Sequence, residues 1–175
     1  MCIRDRYKDN RVFTLSLHES GHTLFPWTTG FETEIGEGAG KGFNANVPLP
    51  ADTDDKLFTW IFSRVFPPLI TAFKPDIVMA VIAVDTLHSD PQTHLRLTNL
   101  GYCDAVKLIA RHSERLITLG CGGYSLDNMA RGWTLAWAIL NGIPIEDETE
   151  ALFGGQFWGD GIICLLYTSD AADEE

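Results

Sequence analysis

Short apolar runs alternate along the chain with longer stretches in which apolar residues return every three or four positions, and these two rhythms predict strands and helices in turn. Arg11 to His18 is a short apolar and β-branched run that stops at polar residues, which predicts a buried strand with His18 at its carboxyl end. Phe43, Ala45 and Val47 alternate with Asn44 and Asn46 and predict a second strand, which Pro48 and Pro50 are expected to end. Between them, Glu19 to Gly42 carries six glycines and no period, so it reads as a loop whose length points to function. A helix follows, capped by Asp52 or Thr53, with Leu57, Trp60, Ile61, Val65, Leu69 and Phe73 facing inward and a break or kink expected at Pro67-Pro68. Ile77 to Val84 is apolar on both faces, as a central parallel strand is, and Asp85 stands at its carboxyl end. Thr98 to His112 predicts a helix that turns Tyr102, Ala105, Val106 and Ile109 inward, and Leu116 to Gly120 predicts another buried strand. Asp127 to Asn141 predicts the last helix, with Trp133 and Trp137 one turn apart and Gly142 and Pro144 marking its end. Strands and helices in alternation predict an α/β fold with a mostly parallel sheet. Ligands in such sheets sit outside the strand carboxyl ends.

Composition narrows the function classes. At 175 residues, 45% apolar and 21% charged, the chain has room for one domain with a buried core. No apolar run approaches the ~20 residues that cross a bilayer, so no membrane partner is expected. A net charge of −11 leaves no basic footprint, which argues against direct nucleic-acid binding and toward neutral or cationic substrates. Cys103 and Cys121 form no CxxC pair, and a reducing cytoplasm is the expected location. The ends differ in character: Met1 to Arg6 and Cys164 to Glu175 resemble translated sequencing-adapter read-through. Residues 1–10 and 162–175 are therefore expected to be a non-native head and tail, and the body, 11–161, a piece of a longer parent protein.

Three predicted strand ends would converge on one rim: His18, Asp85 and the turn Gly120-Cys121-Gly122-Gly123-Tyr124. A carboxylate at the edge of a buried strand must be hydrogen-bonded, paired or metal-bound, so Asp85 either caps the next turn or holds a cation. His88 and Asp90 read as solvated or supporting residues rather than ligands. In the turn, glycines permit close approach of backbone to a ligand, and Tyr124 offers a phenolic donor suited to a developing oxyanion. The nucleotide-binding templates fail: GxGxxG would need glycine at Ser125, and Gly40-Lys41 is followed by Gly42 rather than Ser or Thr.

Asp85-Thr86-Leu87-His88-Ser89-Asp90-Pro91, then Leu119-Gly120-Cys121-Gly122-Gly123-Tyr124 and Asn128-Met129-Ala130-Arg131-Gly132-Trp133, resemble the carboxyl-terminal half of the histone deacetylase superfamily. Bacterial acetoin-utilization-type deacetylases are the nearest in kind. Leu15-Ser16-Leu17-His18, Phe25-Pro26 and Gly36 to Gly42 match the family's upstream segments in the same order, so the resemblance spans about residues 11 to 148. It implies a partial three-layer arginase/deacetylase-like fold. It also implies that Asp85 is one of three protein ligands of a catalytic zinc ion and that Tyr124 hydrogen-bonds the amide carbonyl as water attacks. Phe25 would wall the narrow substrate channel, Gly122 and Gly123 its floor and rim, and Gln92 would line it. Ser16 and the Leu17 carbonyl would help hold a structural potassium ion. The implied substrate is acetylated lysine or a small acetylated amine, and the chemistry fits, since a metal with an open position activates water and polarises the carbonyl.

The chain departs from the family pattern at several points. The Asp-x-His-His run that supplies the other zinc ligands and the tandem histidines has no counterpart, and His18, His22, His88, His94 and His112 match none of those positions. The 175-residue chain alone is thus expected to bind catalytic zinc poorly and to be inactive. Ile82-Ala83-Val84 replace small residues and a cysteine, Gln92 replaces an apolar residue, and Cys121 replaces a frequent glycine. Two other readings stand beside the deacetylase: a non-catalytic binding module of the same fold, and a relative of the binuclear manganese ureohydrolases.

Overall fold

The computed structural model describes residues 6–143, which divide into two compact units parted between Asp52 and Thr53. Pro144, the tail 162–175 and residues 1–5 of the expected head lie outside the described residues.

In the first unit β1 (Thr14–Glu19) and β2 (Asn44–Leu49) pair in parallel, Thr14 opposite Asn44 and Glu19 opposite Leu49. Pro48 lies inside β2 rather than ending it. The reason is the hydrogen-bond phase: the Phe43 and Leu49 carbonyls accept from Thr14 and Ser20, so the odd residues of β2 face β1. Pro48 falls on the other side, where the ladder asks for no N–H. The glycine-rich connection contains a single short 3-10 turn, Gly38–Gly40, and is fastened by polar side chains. Glu34 accepts from the Gly30 and Phe31 N–H groups at 2.7 and 3.1 Å, while Asn44 and Asn46 donate to the Glu34 and Phe31 carbonyls. His18, one residue before the end of β1, is held by Ser16 Oγ at Nδ1 and by the Gly30 carbonyl at Nε2, each at 2.9 Å.

The second unit holds α1 (Asp55–Phe73), β3 (Val78–Val81), α2 (Asn99–Arg111), β4 (Leu116–Leu119) and α3 (Leu126–Leu140). The cap of α1 is Asp54, which accepts from the Leu57 N–H, and the helix runs unbroken through Pro67 and Pro68, contrary to expectation. Its buried stripe is Phe58, Phe62 and Phe66, whose rings pack in succession, while Leu57 and Trp60 are exposed. The two stripes differ by one position, and the one carrying three aromatic rings removes more apolar area from water. Thr98 caps α2 and is tied to α1 through Asp55, which accepts from its N–H at 2.8 Å and from its hydroxyl. Tyr102, Cys103 and Val106 are buried beneath.

Strands β3 and β4 pair in parallel, Val78 opposite Leu116. The apolar run from Ile77 does not continue as strand to Val84. Ile82 still donates to the Leu119 carbonyl, but its own carbonyl accepts from the Trp133 indole at 3.1 Å, which ends the ladder three residues before Asp85. Burial on both faces is also not observed. Ala80 is buried, but Met79 is 64% and Val81 58% exposed, so among the described residues this strand has one covered face. No helix of the described residues is long and apolar enough to cross a membrane.

Candidate active site

The early end of β3 frees the chain to turn, and the turn sets Asp85 against the glycine segment that follows β4. The Val84 N–H donates to the Gly122 carbonyl at 3.3 Å, one residue beyond the Cys121 carbonyl that the register of the two strands would offer, so the pairing slips by one as it enters the loops. Gly122 (φ +72°) and Gly123 (φ +122°) are then needed for two reasons. Both lie in the left-handed half of backbone space, and a Cβ on Gly122 would stand 2.5 Å from Oδ2 of Asp85, one on Gly123 2.4 Å from Val84. The peptide of Gly122 thus packs directly on the Asp85 carboxylate.

Burial raises the pKa of Asp85 to about 6, the charge of Asp90 adds to that rise, and its own backbone N–H offsets part of it. The Asp85 carbonyl accepts from the Thr93 hydroxyl at 2.5 Å, so the following loop folds back on it. Asp90 is 6% exposed and has both oxygens on backbone donors: Gln92 N–H at 2.9 Å and Tyr124 N–H at 2.7 Å. Ser89 donates to Asn128 Oδ1 at 3.0 Å, which ties the same loop to the first turn of α3.

Asp85, Gly122, Gly123, Tyr124 and the backbone of Gln92 are therefore brought together. The Gln92 side chain is exposed, as is Tyr124, which leaves the phenol accessible. Phe25, 76% exposed beside Pro26, belongs to the first unit with Ser16, Leu17 and His18. The sequence reading left Asp90 between a solvated and a supporting role, and missed Asn128 and Trp133 as parts of this arrangement. An acid five residues beyond Asp85 was a visible signal for the first; the segment Asn128 to Trp133 was read as part of the resemblance, but the partners of its two ends are 39 and 51 positions away.

A half-buried carboxylate whose charge burial and a neighbouring anion make costly suits one arm of a divalent cation site, where the cation offsets that cost. Among the described residues no group of three His, Cys, Asp or Glu side chains stands together to complete it. Asp85 thus fits a single position in a larger donor set.

Residues 4–140 match the model of the histone deacetylase domain. The acetoin utilization protein AcuC of Staphylococcus aureus (strain MRSA252) is 38% identical over 146 residues, covering 80% of this chain and 37% of that protein. The crystal structure of a histone deacetylase homologue complexed with SAHA superposes with a TM-score of 0.78 at 33% identity, over 83% of this chain and 39% of the other. The acetylpolyamine aminohydrolase of Burkholderia pseudomallei superposes with a TM-score of 0.69 at 26% identity, over 79% and 40%. The chain spans about two fifths of the length of these relatives and shares their α/β, arginase/deacetylase-like fold with parallel strands, as expected. A family model that covers most of the chain, together with a strand-end acid packed on a Gly-Gly-Tyr turn, makes this chain a member of the histone deacetylase family.

Proposed function

We propose that this stretch is the carboxyl-terminal part of a zinc-dependent deacetylase that hydrolyses the amide of acetyl-lysine or of a small acetylated amine. The observation that carries the reading is the joining of Asp85 to the turn of Tyr124: the Gly122 peptide against the carboxylate, and the Tyr124 N–H on the loop that begins at Asp85. The names of relatives, acetoin utilization protein and acetylpolyamine aminohydrolase, support an acetylated amine as substrate. Asp85 would be one ligand of zinc, with the remaining donors supplied by the parent upstream of residue 11. Bound there, the metal would supply a polarised carbonyl and an activated water. Tyr124 then donates its phenolic proton in a hydrogen bond to the oxygen on which negative charge develops. Its exposure leaves room for substrate to reach it.

In the same reading Phe25 forms an aromatic wall of the channel, Gly122 and Gly123 give it a floor without side chains, and Gln92 makes one part of its lining polar. Ser16 and the Leu17 carbonyl contribute to a potassium site. The ladder phase supports the second, since the bonding of Thr14 and Ser20 to β2 turns the Leu17 carbonyl away from that strand. Asp90, 6% exposed and with each oxygen accepting a backbone N–H, gives no support to the binuclear manganese reading. The 175-residue chain by itself is inactive in this reading, and the parent acts in the cytoplasm.

The test is made in the intact parent. Asp85→Ala abolishes zinc content and deacetylation; stoichiometric zinc in that variant refutes the ligand assignment. Tyr124→Phe keeps the metal and loses about 2.7–4 kcal/mol of transition-state stabilisation, read as kcat. Unchanged turnover removes Tyr124 from the chemistry.

A further inference from the structure

Tyr124 presents a problem that its own side chain does not solve. A phenol that is 60% exposed has little packing to fix it, so its place is set through the backbone that carries it. On the carboxyl side that backbone is anchored: Ser125 caps α3, accepting from the Asn128 N–H, and its carbonyl accepts from Met129. On the amino side stand Gly122 and Gly123, both at positive φ, with the 3.3 Å bond from Val84 to the Gly122 carbonyl as a long tie. Two glycines in succession give this side the greatest backbone freedom a chain can have.

The structure assigns the missing restraint to Asp90: we propose that it is the positioning residue that fixes Tyr124 relative to Asp85. Its carboxylate is 6% exposed and bridges two segments 34 residues apart, taking the Tyr124 N–H on Oδ2 at 2.7 Å and the Gln92 N–H on Oδ1 at 2.9 Å. Hydrogen bonds to a charged acceptor are short and about twice as strong as neutral ones. The other end of the strut is equally firm. The Asp90 N–H donates to the Leu87 carbonyl at 2.9 Å, Leu87 and Leu97 form a bridge, and Ser89 is held by Asn128. Asp90 therefore transmits the position of the loop that opens with Asp85 to the first N–H of the residue carrying the phenol. Each oxygen takes one backbone N–H in doing so, so the carboxylate acts on the backbone of both segments at once. The carboxylate is required because an amide in its place presents one acceptor and one donor to two N–H groups, so one of the two bonds is lost.

This inference rests on the deacetylase reading for its kinetic consequence but not for its structural one, and the test separates them. In the intact parent Asp90→Asn is expected to keep its zinc, lower kcat by about 10²-fold and leave KM nearly unchanged, as for a small misplacement of a catalytic group. In a Tyr124→Phe background the same substitution is expected to cost nothing further, since the group it positions is gone. A normal kcat, or a loss that adds in full to that of Tyr124→Phe, overturns the proposal. Amide hydrogen exchange in the 175-residue chain supplies the second readout. Faster exchange at Tyr124, at Gln92 or at both, with the amides of α2 unchanged, supports the strut, and unchanged exchange at both overturns it. Asp90→Glu, which keeps the charge and shifts both oxygens by a methylene, gives the same exchange pattern if Asp90→Asn does not fold. A parent without deacetylase activity defeats the functional reading alone, and the exchange measurement still decides the role of Asp90.

Discussion

Replacing Asp85 by Asn removes a charge from a place where the fold makes charge costly, while keeping the shape of the side chain. Burial first, and the nearby Asp90 second, raise the pKa from 3.8 to about 6. That is about two units, and at about 1.36 kcal/mol per unit the ionised group costs the folded state about 3 kcal/mol at most. Because the side chain is only partly buried, water screens some of this, and about 1–3 kcal/mol is the expected effect. The sign follows from proton uptake. Below about pH 4 the carboxyl is protonated in both the folded and the unfolded chain, so it contributes no penalty. Between about pH 4 and pH 6 the folded form still holds a proton that the unfolded form has released, so stability falls as pH rises; above that range the penalty is complete. Urea unfolding of the wild-type chain and of Asp85→Asn across this range should give curves that coincide at the acid end and separate toward neutral pH, the variant being the more stable. A variant that is less stable at neutral pH, or offset equally at every pH, refutes the account of Asp85 as a buried acid held against its charge.

Gly122→Ala should destabilise the chain by about 1–2 kcal/mol from the left-handed backbone alone, and in the parent it should also reduce zinc content, because the new methyl group would occupy the space of Asp85 Oδ2. Wild-type unfolding and full zinc would show that the turn does not bear on the acid. Trp133→Phe leaves the Ile82 carbonyl only the Tyr102 hydroxyl at 3.5 Å in place of its 3.1 Å indole donor and should cost about 0.5–1.5 kcal/mol in urea unfolding. An unchanged unfolding midpoint would mean that the indole bond does not hold the end of β3.

Much of the fold was legible along the chain because its signals are local. The helix that buries Tyr102 and Val106 and the parallel strands of an α/β chain follow from residues within a few positions of one another. The errors share a cause. The Phe58, Phe62 and Phe66 stripe and the Leu57 stripe are both helical in period, and only the partner helix decides which is inside. Pro48 reads as a strand breaker until the phase of hydrogen bonding to β1 is known.

The sequence by itself determined the family, the acid at Asp85 and the Gly-Gly-Tyr turn, because identity and order of residues are enough to recognise a motif. What the tertiary structure decided is how those pieces are held. The Trp133 indole stops β3 before the acid, Asp90 carries the Tyr124 N–H, and the absence of a Cβ at Gly122 lets a peptide lie on a carboxylate. These are contacts between segments tens of residues apart, set by packing and hydrogen-bond geometry in three dimensions, and neither spacing nor composition encodes them.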